Sequence, residues 1–131
     1  MGQNTMSFVI FIPCELKNYA NHGGHWTGKA GYQRALRDKT QLMALSYRNE
    51  LWPTDAPEMT AAMPKCVTIT AYVWNYFDEH DGLRNACKPI IDGLVRARFL
   101  DDDGPKSGHQ IFYTQVIDRT HRGVKITVGP R

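Results

Sequence analysis

The chain has 131 residues, 42% of them hydrophobic and 22% charged, with a formal net charge of +3. That length supports one domain with a real core, that composition excludes a disordered chain, and no apolar run approaches the ~20 residues of a membrane-spanning helix. Cys14, Cys66 and Cys87 are odd in number and form no C-x-x-C, so a disulfide scaffold or zinc ribbon is not expected; reduced thiols in a cytoplasmic protein are, and no export-signal pattern opens the chain.

Phe8-Val9-Ile10-Phe11-Ile12, closed by Pro13, reads as a short buried strand. Residues 14–28 carry the turn formers Asn18, Asn21, Gly23 and Gly24 and read as a loop. Good helix formers fill 29–50, which predicts a helix with Thr27 as its cap. Pro53, Pro57 and Pro64 make 51–65 an exposed connection. Val67, Ile69, Ala71 and Val73 alternate with Thr68, Thr70, Tyr72 and Trp74, the period of a half-buried strand. A second helix is expected at 83–98, then strands at 110–118 and 124–128 joined through Gly123 as a hairpin. The order β-α-β-α-β-β predicts an α+β (mixed α/β) single domain, 1–131, with a mixed sheet packed by two main helices.

Acid is unevenly spread. Of the 13 carboxylates, seven (Asp78, Glu79, Asp81, Asp92, Asp101, Asp102 and Asp103) fall between residues 78 and 103. On the intervening helix, at about 100° per residue, Leu83, Ala86, Cys87, Ile90, Leu94 and Ala97 share one arc, while Asp81, Asn85, Lys88 and Asp92 share the opposite one. Such a stripe fits an ordinary wet face with a Lys88–Asp92 pair. It equally fits a hard-cation site, since Mg²⁺ takes one or two carboxylates and substrate phosphate, with a lysine to meet developing phosphate charge. Asp101-Asp102-Asp103-Gly104 is no calcium loop, because Phe99 and Gln110 would occupy the first and twelfth ligand positions.

The run Glu79-His80-Asp81-Gly82-Leu83, then Lys88-Pro89-Ile90-Ile91-Asp92-Gly93-Leu94, then Asp102-Asp103-Gly104, resembles the RusA family of Holliday-junction resolvases. That family's pattern is D-x-D-N-L, a lysine, D-[AG]-L four residues on, and an acid pair; residues 79–106 carry the likeness. The resemblance implies divalent-metal-dependent hydrolysis of phosphodiester bonds in branched or four-way DNA by a homodimer. It also implies Mg²⁺, with Mn²⁺ as a possible substitute, held by Glu79, Asp81, Asp102 and Asp103, and catalysis by Lys88, Asp81 and Asp103. Two residues depart from the pattern. Glu79 stands for the usual Asp, leaving Asp78 as a rival first ligand, and Gly82 stands for the usual Asn. A catalytically weakened or inactive junction-binding relative is therefore the alternative.

A helix over 83–97 is ~22 Å long and separates the two acid stretches. Either 98–103 folds back along it, or Pro89 starts a shorter helix, or a partner subunit brings the acid pair. For DNA binding, Lys29, Arg34, Arg37, Lys39 and Arg48 against the single Asp38 make the first helix basic, and Lys29, Arg34, Arg37 and Arg84 are the expected phosphate contacts. A two-fold dimer would suit a four-way junction read by shape. His22, His25, His80 and His109 lack a zinc-binding context, and Trp26, Trp52 and Trp74 are expected as core or interface anchors, Trp26 with a possible stacking role.

Overall fold

The computed structural model describes residues 8–16, 26–51, 64–77, 82–101 and 108–131. Its elements run β1 (Phe8–Pro13), α1 (Trp26–Leu51), β2 (Lys65–Val73), α2 (Gly82–Arg96), β3 (Gln110–Ile117) and β4 (Gly123–Pro130). The fold is α+β, two helices against one face of a four-stranded mixed sheet, in the predicted order. No described helix is long and apolar enough to cross a membrane.

The strands lie in the order β1-β4-β2-β3. β2 and β3 are parallel, joined across α2, and β4 runs antiparallel to both β1 and β2. The expected hairpin of the last two strands does not form, because β2 stands between them. The intervening turn passes the end of β2: the Asp118 amide donates to Val73 O at 3.0 Å, and the Asp118 carboxylate accepts from the Thr120 and His121 amides. Those two amide bonds hold the Asp118 carboxyl below its usual range.

Alternation decides what each strand buries. Ile10 and Ile12 on β1, Val67, Ile69 and Ala71 on β2, and Val124, Ile126 and Val128 on β4 form the inner face, all buried beneath the helices. β1 is buried on that face alone. Val9 and Phe11 are exposed, since β1 is an edge strand with the helices on one side.

α1 already contains Thr27, so that residue is not its cap. Leu36, Thr40 and Ala44, at four-residue spacing, are its buried stripe, and the Thr40 hydroxyl is satisfied by donating to Leu36 O at 2.8 Å. Gly93 of α2 faces this stripe, where a Cβ would stand 2.7 Å from Thr40 Cβ and 2.8 Å from Arg37 O. The two helices approach closely only because that position lacks a side chain.

α2 continues through Pro89, so the alternative of a shorter helix starting there does not hold. Proline there forfeits one hydrogen bond, costing ~3 kcal/mol, but its own ring and the flanking Ala86, Cys87, Ile90 and Ile91 are all buried, and burial on that scale outweighs the loss. The helix ends in a Schellman motif. The Phe99 amide donates to Leu94 O and the Arg98 amide to Val95 O, each at 3.0 Å, with Arg98 left-handed at φ 68°. The reversal drives Phe99 and Leu100 into the core and delivers Asp101 to the start of β3.

Candidate functional site

The faces of α2 divide as its sequence predicts. Leu83, Ala86, Cys87, Ile90, Leu94 and Ala97 are all buried. Opposite them Asn85 and Lys88 are exposed and Asp92 is half-buried, and Lys88 Nζ lies 3.3 Å from Asp92 Oδ1. The lysine is thus held ready on the outer side, one helical turn from a carboxylate.

Glu79, Asp81, Asp102 and Asp103 lie outside the described residues, as do Asp78, His22, His25 and His80. Among the described residues no three His, Cys, Asp or Glu side chains gather as a metal-binding group. What the structure does show is how the chain is fixed where it enters each acid stretch, and both fixings are made on or beside β3.

Phe77 precedes the first stretch. Its amide donates to Gln115 Oε1 at 2.8 Å and its carbonyl accepts from Gln115 Nε2 at 3.1 Å, so one side-chain amide holds both polar groups of that peptide backbone. Asp101 precedes the acid pair. Its Oδ1 lies 2.8 Å from His109 Nε2, and His109 Nδ1 accepts the Lys65 amide at 3.0 Å. With Nδ1 accepting, Nε2 bears the proton and donates to Asp101. The Lys65 side chain is buried beside them; burial pushes its pKa down and Asp101 opposes the shift.

His109 and Gln115 are six residues apart, about 20 Å along the strand direction. The chain thus enters its two acid stretches from anchors separated by nearly the length of α2. Neither anchor belongs to the expected site. Gln115 carried no sequence signal, because a glutamine in a strand is usually a wet residue. His109 stood beside the acid segment but had no partner at a recognisable spacing.

Arg84 lines a groove of about 770 Å³ with Tyr76, Phe77, Leu83, Tyr113 and Gln115, beside the first anchor. Its guanidinium lies over the Tyr113 ring, 5.7 Å from the centroid. The basic helix is less open than its sequence implies. Arg34 is exposed, but Arg37 pairs with Asp38 at 3.3 Å and Lys39 donates to Pro13 O. The side chains of Lys29 and Arg48 lie outside the described set. Trp74 is not a core anchor. It is 50% exposed, with the Arg119 and Arg122 guanidinium groups at 5.0 and 5.5 Å from its ring, while the Trp26 side chain and Trp52 are outside the described residues.

Cys14, Cys66 and Cys87 are free thiols. Burial raises the Cys14 pKa to about 11 and that of Cys87 to about 12, with Cys14 adding to the shift at Cys87, which leaves both unsuited to nucleophilic or metal-binding roles. No protein-family model matches the chain, and no curated protein matches it.

Proposed function

We propose that this protein is a divalent-metal-dependent endodeoxyribonuclease that cleaves branched DNA by phosphodiester hydrolysis as a cytoplasmic homodimer, in the manner of the RusA family that residues 79–106 resemble. The observation that best supports the reading is the outward placement of Lys88. It sits exposed on a helix between the two acid stretches, 3.3 Å from the Asp92 carboxylate, and Arg84 projects from the preceding turn.

Carboxylate oxygens are the donors a hard cation prefers, so Glu79, Asp81, Asp102 and Asp103 would hold Mg²⁺ or Mn²⁺. When bound, the cation supplies an activated water and charge compensation for the departing oxygen. Lys88 would exchange Asp92 for a phosphate oxygen and steady the charge built up during attack. Arg34, Arg37, Lys29 and Arg84 would neutralise phosphates of the duplex arms and set the register without reading bases. With anchors about 20 Å apart on β3, one chain brings its acids together only if both stretches run towards each other; in a two-fold dimer the partner's acid pair would serve as well.

The test is a labelled four-way junction incubated with Mg²⁺ and, separately, with EDTA. Paired, metal-dependent nicking is expected. Salt-sensitive binding without nicking would instead identify a non-catalytic relative, and the absence of both nicking and binding would refute the reading altogether. Asp81→Asn and Asp103→Asn should each abolish cleavage yet leave junction binding intact or tighter, because removing acid lessens phosphate repulsion. Lys88→Ala should slow cleavage with an unchanged melting temperature; a collapse of that temperature would make Lys88 structural.

A further inference from the structure

The sheet face turned away from the helices has its own composition. β2 contributes Thr68, Thr70 and Tyr72 to it, β3 contributes Phe112 and Thr114, β4 contributes Lys125 and Thr127, and β1 contributes Val9 and Phe11. Phe112 is 52% exposed and Phe11 41%. At one end of the face Tyr72 stands in register with Gly123, and the Phe11 ring leans over that glycine from the other side, where a Cβ would meet Phe11 Cζ at 2.5 Å. The two rings come within 6.2 Å over β4. Phe112 neighbours Thr68, four residues before Tyr72, which puts it about 14 Å from Tyr72. That separation is about four base-stacking steps of ~3.4 Å.

Charge selects the occupant. Lys125 lies on a central strand, in register with both Phe11 and Thr70, and has no ion-pair partner among the described residues. Arg119 and Arg122 stand at the lower end against Trp74. A second copy packed face to face would bury two such lysines in the middle of an apolar interface, each needing desolvation without a partner. A strand carrying phosphates between flat bases satisfies the lysine and the rings together, and a hydroxyl-rich floor of four threonines accepts polar base edges at any sequence.

We propose that this outer face is a stacking platform for unpaired single-stranded DNA, with Phe112 and the Phe11–Tyr72 pair receiving bases and Lys125 a phosphate. The choice of DNA rests on the nuclease reading, in which a branch point supplies unpaired strand; the platform itself needs no metal.

The experiment is fluorescence anisotropy of labelled dT20 and rU20 in EDTA, with the wild-type chain and with Phe112→Ala and Lys125→Glu, both exposed or half-exposed positions. Wild type should bind dT20, Phe112→Ala should weaken it about tenfold, and Lys125→Glu should weaken it and reduce the log–log salt slope by about 0.7. Saturating dT20 should also slow thiol labelling of Cys66 on the same face. Unchanged affinity in both variants, tighter binding of rU20, or loss of self-association in sedimentation of the variants would each overturn the proposal. Strand binding by this face in a chain that leaves junctions uncut in Mg²⁺ would refute the nuclease and keep the platform; junction cutting with dT20 affinity insensitive to Phe112 would do the reverse.

Discussion

The two faces of this sheet are built from the same four strands, residue by residue, and obey different rules. On the inner face Ile10, Ile12, Val67, Ile69, Val124, Ile126 and Val128 are interchangeable in kind, apolar and nearly or fully buried, and their role is to exclude water. On the outer face the chemistry is mixed: a phenylalanine and a valine from β1, a lysine and a threonine from β4, two threonines and a tyrosine from β2, and a phenylalanine and a threonine from β3. A face selected only for packing converges on a narrow set of side chains, and one that merely meets solvent has little reason to keep large rings. The largest effect that tests this contrast compares neighbours on β4. Ile126→Ala should cost about 2–5 kcal/mol of unfolding free energy, the range for a truncated, fully buried aliphatic side chain. Thr127→Ala, one residue along and on the other face, should stay within about 0.5 kcal/mol. Urea titration of both variants measures the difference, and equal losses would mean that the outer face is as packed as the inner.

The inner face was legible in the sequence because burial imposes a period. Val67-x-Ile69-x-Ala71-x-Val73 alternates by two, and Leu83, Cys87, Ile90 and Leu94 recur on a helical arc, so β2 and α2 could be placed to within two residues. Strand order has no such period. β3 and β4 follow one another along the chain, and nothing local reveals that β4 inserts between β1 and β2. Pro89 left a shorter helix open for a related reason, since its helix-breaking cost is local while the burial that overrides it is tertiary. The candidate site was read from one stripe and one spacing; its anchors, Gln115 and His109, act through contacts 38 and 8 residues away and left no mark at short range.

The helical layer repeats the contrast through its glycines. Gly93 lies within the D-G-L portion of the family-like motif, where it reads as part of the chemistry, yet its visible duty is to let Thr40 and the Arg37 carbonyl approach. Gly93→Ala should therefore destabilise the fold by about 1–3 kcal/mol through overpacking. Gly31→Ala on α1, where an added Cβ has nothing within 4 Å, should instead stabilise by about 0.5–1 kcal/mol. Opposite shifts in melting temperature are the expected reading. A neutral Gly93→Ala would show that α1 can move aside, and would leave the small residue to be explained by chemistry.

The smallest effect concerns the buried thiols and runs with pH. Cys87 lies against the inner core and Cys66 on the outer face. In the unfolded chain a cysteine loses its proton near pH 9, whereas burial delays Cys87 to about 12 and Cys14 to about 11. Between those values the folded protein holds more protons than the unfolded one, so stability is complete below pH 9 and declines as pH rises towards 12. Urea midpoints taken from pH 7.5 to 10.5 should fall, and Cys87→Ala, whatever it costs at neutral pH, should flatten that decline. A slope insensitive to Cys87 would mean that its thiolate is tolerated in the fold, and with it that the core beneath the sheet admits solvent at alkaline pH as the outer face does at every pH.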